Sequence, residues 1–312
     1  MKPNAPQHPA KLDPKDQTTK HSTAGHVSLL EAHSSQGYSI AGGKIPILIT
    51  LRRTSDLKPH EETVAEDLNR LVNALRDTPV LRHPIIADRR TGIVLDGTHR
   101  LAAIKQLKCN FIPSALVDYD DAQITIERWF RLFSGSNVRN LENHLRQLKP
   151  REVSHDECED GLSKRRWYAT VEKTMSCLAF PVRRPSPYEM VRDSHDIEMA
   201  ARQQGVSIAY QDNKDTGPQD TASLVMSTIK IEKKEVVETV KKGKLFPPKS
   251  TRHLVPSRPL GGGVPIDWLQ DSDFSKAQSR YQDYMQSRKV KRLPEGSRVG
   301  SRRYLEEVFL FE

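Results

Sequence analysis

Three short stretches of this 312-residue chain gather the residue types that phosphate and proton chemistry require. The first is Asp96-Gly97-Thr98-His99-Arg100, placed where the apolar run Ile93-Val94-Leu95 gives way to a helical pattern. Gly97 admits a tight turn at that point. The free N–H groups of a helix's first turn, together with its dipole, favour an anion. His99 and Arg100 add donors suited to phosphate oxygens, and Asp96 offers the hard oxygen that Mg²⁺ accepts. A plainer reading makes Asp96 a helix cap and Arg100 a solvated helix residue.

The second stretch, "LKPHEETV" (57–64), precedes another helical pattern. Glu61 and Glu62 sit where acids are favoured by the helix dipole regardless of function. Read functionally, Glu61 is a general base for a hydroxyl within hydrogen-bond reach. The third, "PPKSTRH" (247–253), sets Lys249, Ser250, Thr251, Arg252 and His253 in a row behind two prolines. Two hydroxyls, a guanidinium fork and an imidazole suit a carboxylate or a phosphoryl group. A solvated charged loop is the alternative, and the prolines argue instead for a fixed conformation. Trp129 and Phe130 read first as core aromatics. His60, His83 and His99 lack the paired spacing of a metal site. No GxxxxGK[ST] loop and no kinase glycine-rich loop occurs, so phosphoryl transfer here would use neither apparatus.

The elements that must position these residues follow from periodicity. "KIPILITLRRT" reads as a strand, and residues 62–78 place Val64, Leu68, Leu71, Val72 and Leu75 at helical spacing. "HPIIAD" and "GIVLDG" read as a close pair of strands, "HRLAAIKQLK" as a helix and "FIPSALVDY" as a strand. That order predicts a compact α/β layer over residues 45–121. Beyond it, "AQITIERWFRLF" fits either strand or helix, and 140–166 is highly charged and helical or exposed. Strands are expected at "SCLAFPV" and "ASLVMSTIK", with a helix between them and another, "IEKKEVVETVKKGKLF", ending at Gly243. Residues 247–269 read as a loop. Residues 1–26, with almost no large apolar group, are expected to be a disordered arm, and 271–312 a loosely packed polar tail.

Composition bounds the partners. Apolar residues make up 36% and charged residues 29%, and 49 basic residues against 40 acidic ones give a net charge of +9. Such a surface attracts anions, whether nucleic acid, acidic membrane or nucleotide. No apolar run is long enough for a spanning helix, and the first residues lack the apolar centre of a secretory signal. Cys109, Cys158 and Cys177 are widely spaced and odd in number, which fits neither a disulfide framework nor a zinc ribbon. A cytoplasmic location is expected.

Taken together, the three stretches are similar to one family. "DGTHRLAAIKQL" resembles the Asp-Gly-His-His-Arg signature of the free L-serine kinases, within the ParB/sulfiredoxin-like superfamily. "LKPHEE" matches that family's Pro-His-Glu segment, and "VKKGKLFPPKSTRH" its C-terminal Gly-x-x-Phe-x-Pro-Lys-Thr-Thr-Arg-His segment. The resemblance runs from Ile45 to Leu269 and is loose in its middle third. It implies an α/β (α+β mixed sheet) fold: a ParB/sulfiredoxin-like nucleotide-binding domain over 45–121, then a substrate-binding α+β part over 122–270, with the site in the cleft between them. It further implies phosphoryl transfer from ATP or ADP to the hydroxyl of free L-serine, giving O-phospho-L-serine, with Mg²⁺. In that assignment Glu61 is the base, Asp96 lies beside metal and phosphates, and Gly97, Thr98, His99 and Arg100 cradle the phosphates. Ser250, Thr251, Arg252 and His253 hold the serine, with Trp129 beside its pocket. Thr98 departs from the signature, standing where the family has a His, and Ser250 replaces a Thr.

Two other readings remain open from the sequence. ParB-like domains also occur in nucleotide-dependent DNA-binding regulators, which the net positive charge keeps in view, although no helix-turn-helix pattern follows the first domain. Sulfiredoxin-like chemistry needs a reactive cysteine by the phosphate loop, and Cys109 lies a full helix beyond it.

Overall fold

The computed structural model describes residues 30–33, 37–173, 176–214, 223–300 and 302–312, so the expected arm over 1–26 lies outside the described residues. The first half of the chain builds a six-stranded mixed sheet. Its spatial order is Leu30–His33, Gly37–Ile40, Leu48–Arg53, Phe111–Val117, Ile85–Asp88 and Val94–Asp96. Phe111–Val117 runs parallel to Ile85–Asp88 and antiparallel to Leu48–Arg53. All seven of its residues are buried, which is why it reads without a polar–apolar alternation. Helices Ala65–Asp77 and Thr98–Gln106 pack against each other beside this sheet.

A second six-stranded sheet is antiparallel throughout. Its order is Arg151–Val153, Ser176–Pro181, Trp167–Lys173, Leu224–Thr228, Phe130–Ser134 and Ser207–Gln211. The ambiguous "AQITIERWFRLF" resolves into two strands, Thr125–Glu127 and Phe130–Ser134. Trp167–Lys173 and Ser207–Gln211 carry no strand expectation from the sequence. The first five residues of Trp167–Lys173 are all buried, so it lacks the period of two that announces a half-buried strand.

Three expectations are overturned. Cys158, in helix His155–Ser163, is disulfide-bonded to Cys177 in strand Ser176–Pro181. Packing of that helix on the sheet brings together cysteines whose spacing alone suggested no pair. The polar tail beyond Asp271 is also structured. Helix Phe274–Gln286 buries Ala277, Tyr281 and Met285, and Val308–Phe311 pairs with Arg258–Gly261 and Val290–Leu293. A stripe of three apolar residues every four positions, diluted by Ser, Gln, Asp and Arg, suffices for a helix that docks one narrow face. The loop-like 247–269 likewise holds three short strands. Arg252–Leu254 pairs with Thr125–Glu127, Arg258–Gly261 with Val308–Phe311, and Val264–Pro265 with Val80–Leu81. This segment therefore pairs with three strands from separate parts of the chain.

Candidate active site

Position 97 needs glycine. It closes strand Val94–Asp96 at φ 102° and caps helix Thr98–Gln106. A Cβ there would lie 2.7 Å from Ile85 Cγ2 and 2.9 Å from Arg100 Nε. The helix has no side-chain cap, so its first N–H groups face the turn without a protein acceptor from a capping side chain. Asp96 is therefore the last strand residue and not a cap. Its Oδ2 accepts from Arg100 Nη2 at 3.0 Å and from Arg258 Nη1 at 2.7 Å. Burial would raise its carboxyl, but Arg100, Arg258 and Arg302 hold it far below the usual carboxylate range. His99 Nε2 accepts from the Val64 N–H at 3.0 Å, so in the neutral ring Nδ1 carries the proton. Burial and then Lys249 keep His99 below its ordinary value, which favours that neutral form.

Glu61 is positioned by backbone pairing. The Phe246 N–H donates to the His60 carbonyl at 2.9 Å, and the Glu62 N–H donates to the Phe246 carbonyl at 2.8 Å. Phe246 is fully buried, and burying such a side chain contributes roughly 2–3 kcal/mol to holding the two segments together. Three donors from the 249–251 turn then converge on Glu61. Its Oε1 accepts from the Thr251 N–H at 2.7 Å and the Thr251 hydroxyl at 2.6 Å, and its Oε2 from the Lys249 N–H at 3.1 Å. His60 completes the cluster. Its Nδ1 lies 2.5 Å from the Val94 carbonyl and must donate there, while Nε2 lies 2.7 Å from Thr251 Oγ1. Burial works to raise the Glu61 carboxyl, but the His60 ring and the Thr251 donors outweigh it and hold it below its usual value.

The turn itself is held from the second sheet. Lys249 adopts φ 61°, a left-handed conformation that a non-glycine residue keeps only when its surroundings impose it. Its carbonyl accepts from Arg131 Nη2 at 3.0 Å, and Arg131 Nη1 also holds the Trp129 carbonyl at 2.8 Å. Arg131 is buried and paired at 2.6 Å with buried Glu198, which in turn accepts from the Tyr210 hydroxyl at 2.7 Å. Burial and then Glu198 push the Tyr210 phenol up to about 12, so it remains a donor. Lys249 Nζ stands 5.1 Å from the Trp129 ring centroid and 5.9 Å from that of Tyr210. The Trp129 Nε1–H donates to the Thr251 carbonyl at 3.0 Å.

Of the eleven residues singled out in the sequence, ten line one cavity of about 550 Å³: all but Ser250. Ser250 is buried and its hydroxyl donates to the Pro247 carbonyl at 2.6 Å, which makes it a turn residue. His253 reaches the cavity wall, but its Nε2 is 2.7 Å from the Tyr119 hydroxyl and its Nδ1 is buried with no partner among the described residues. Arg252 is buried, paired to Asp212 at 3.3 Å and stacked 5.3 Å from the Trp129 ring. Sequence reading missed Tyr210, Arg258 and Arg302, which also line the cavity. Arg258 sits in "VPSRPL", where nothing local marks it. Cys109 is a free, buried thiol pushed up to about 11 by burial, the opposite of a reactive thiolate.

A strand-turn-helix junction thus faces a carboxylate rich in donors across one cavity, in a mixed-sheet α/β frame. No protein-family model matches the chain. Among characterised relatives, it is 26% identical over 244 residues to an ATP-dependent L-serine kinase of Staphylothermus marinus, covering 72% of this chain and 91% of that one. It is 23% identical over 212 residues to an ADP-dependent L-serine kinase of Thermococcus kodakarensis, covering 65% and 85%. A solved free serine kinase variant in complex with ADP superposes with a TM-score of 0.60 at 21% identity, covering 71% of this chain and 93% of that chain. The resemblance carried by the three motifs thus extends over most of both chains, and the fold is that of the free serine kinases. Among the described residues, no helix is long and apolar enough to cross a membrane.

Proposed function

We propose that this protein transfers a phosphoryl group from ATP or ADP to the hydroxyl of free L-serine, giving O-phospho-L-serine. The observation that carries the reading is the meeting of Glu61, the Asp96–Arg100 turn and the 249–253 turn around one cavity, although they lie up to about 190 residues apart. The serine oxygen bonds to phosphorus as the bridging P–O bond of the donor breaks, and the serine proton passes to Glu61. A carboxylate held below its usual value is a weak base. Phosphoryl transfer through a loose transition state asks chiefly for orientation of the nucleophile and neutralisation of charge. Glu61 fits the first task and the Gly97–Arg100 cradle the second. Lys249, Thr251, Arg252 and Trp129 frame the amino-acid end, where Lys249 and Arg252 suit the carboxylate of serine.

Mg²⁺ fits the donor set in one way. Among the described residues no group of three His, Cys, Asp or Glu side chains could hold a metal. Asp96 is the carboxylate beside the cradle, with Oδ2 occupied by two guanidinium groups, so Oδ1 is the oxygen it would offer. Mg²⁺ is commonly held by one carboxylate together with substrate phosphates and water, and when bound it would neutralise phosphate charge. The reaction belongs in the cytoplasm, where nucleotide and free serine meet. The Cys158–Cys177 bond is compatible with that setting because both cysteines are fully buried, away from the thiol pool.

The test is incubation of the protein with L-serine, Mg²⁺ and either ATP or ADP, followed by ³¹P NMR. A phosphomonoester resonance that is lost in Glu61→Gln is expected. Absence of that signal with both donors, alongside nucleotide hydrolysis stimulated by DNA, overturns the proposal in favour of a ParB-like regulator.

A further inference from the structure

The cavity wall carries five formal positive charges, from Arg100, Lys249, Arg252, Arg258 and Arg302, against three negative charges from Glu61, Glu62 and Asp96. Most of these cations are already engaged. Arg258 has Nε on Glu306, Nη1 on Asp96 and Nη2 on the His253 carbonyl. Arg100 has Nη1 on the Pro84 carbonyl and Nη2 on Asp96. Arg252 is paired with Asp212. Arg302 differs. Among the described residues it, like Lys249, makes no ion-pair contact with a carboxylate, although its charge acts on Asp96. It is exposed, and its guanidinium carbon lies 4.8 Å from the Tyr304 ring centroid.

Its placement is built by the fold. Strand Arg302–Arg303 pairs with Arg298–Val299, bringing Val299 opposite Arg302. The hairpin is anchored by Tyr304, whose N–H donates to the Ser297 carbonyl at 2.9 Å and whose carbonyl accepts from the Gly296 N–H at 2.8 Å. Tyr304 itself is buried with Leu260 and Val308. Leu260 lies in the strand that also carries Arg258, so the hairpin is mounted on the same small sheet as the Asp96 partner. A guanidinium held beside Asp96 and the Gly97 turn, with its donors unspent, is arranged for a planar anion with several oxygens.

We infer that Arg302, delivered by the C-terminal hairpin, binds the phosphate chain of the nucleotide and makes affinity depend on the number of phosphates. The inference rests on the kinase reading for the identity of the nucleotide. Its consequence is that residues beyond Asp271 complete the donor site.

Isothermal titration calorimetry of the full chain with AMP, ADP and ATP, without serine, tests it against Arg302→Ala and Arg302→Lys. Arg302→Ala is expected to weaken ATP and ADP at least about ten-fold while changing AMP far less, with Arg302→Lys in between. Thermal melting should be unchanged in both variants, because the side chain is exposed. ATP and ADP affinities of Arg302→Ala within about two-fold of the parent overturn the inference and leave the kinase reading standing. A parent chain that binds no nucleotide overturns both. Loss of ATP affinity in Arg302→Ala, with no phosphoserine formed by the parent, upholds the inference and removes the serine acceptor.

Discussion

The Thr251 hydroxyl stands 2.6 Å from Glu61 Oε1, and the same oxygen lies 2.7 Å from His60 Nε2. One hydroxyl proton serves both contacts. If it points to Glu61, His60 must donate from Nε2 for the second contact to be a hydrogen bond; if it points to His60, Glu61 loses one of its three donors. Thr251 therefore couples the carboxylate to the buried imidazole. Thr251→Val should lower kcat about ten-fold or more, and Thr251→Ser, which keeps the hydroxyl, should recover most of it. Steady-state phosphoserine formation distinguishes them. Equal activity of the two variants would remove the hydroxyl from the mechanism.

A pH profile follows from the same cluster. Burial would raise the Glu61 carboxyl, but His60 and the Thr251 donors hold it below its usual 4.5. A carboxylate whose value is depressed in the fold stays ionised above its ordinary range and is lost only as pH falls through the depressed value. The acid limb of kcat/KM should accordingly lie below pH 4.5 in the parent and move upward in Thr251→Val. An acid limb at or above that pH in the parent contradicts the assignment.

How much of this was written in the sequence depends on distance along the chain. The Asp96–Arg100 turn was legible because strand, turn and helix are consecutive and a glycine at left-handed φ leaves a local mark. Helix Ala65–Asp77 was legible for a similarly local reason, because Leu68, Leu71, Val72 and Leu75 recur at helical spacing. Arg258 was not, because its meaning comes from Asp96, 162 residues earlier, and Glu306, 48 residues later. Ser250 misled: its hydroxyl is the right type in the right motif, yet the turn that aims Thr251 at Glu61 folds Ser250 back onto Pro247. Helix Phe274–Gln286 was hidden by polar residues, since a helix docking a single narrow face needs only a few apolar positions.

Gly97→Ala is expected to damage binding more than its size suggests. The backbone sits at φ 102°, and the new methyl would meet Ile85 Cγ2 at 2.7 Å and Arg100 Nε at 2.9 Å. Relief must come from moving Arg100 away from Asp96 or shifting the helix start, and either distorts the turn proposed to hold the phosphates. A stability loss of roughly 1–3 kcal/mol is expected for the strained conformation. ADP affinity should fall as well, read by calorimetry below the melting temperature. Retention of full ADP affinity would separate the turn from phosphate binding.

The Arg131–Glu198 pair provides the sharpest energetic test of how the second sheet supports the site. Both side chains are essentially inaccessible, 2% and 1% exposed, and they meet at 2.6 Å. Removing one partner of such a pair strands the other charge away from water and typically costs about 3–5 kcal/mol, whereas replacing both by apolar groups can be nearly neutral. Glu198→Leu and Arg131→Met should thus each lower the urea midpoint strongly, and the double variant should recover much of the loss. Activity should behave differently. Arg131 also holds the carbonyls of Lys249 and Trp129 at 3.0 and 2.8 Å, contacts that methionine cannot make. The double variant should regain stability while phosphoserine formation stays depressed, because the left-handed turn at Lys249 has lost its outer support. Recovery of both properties together would make the pair a packing element with no part in shaping the site.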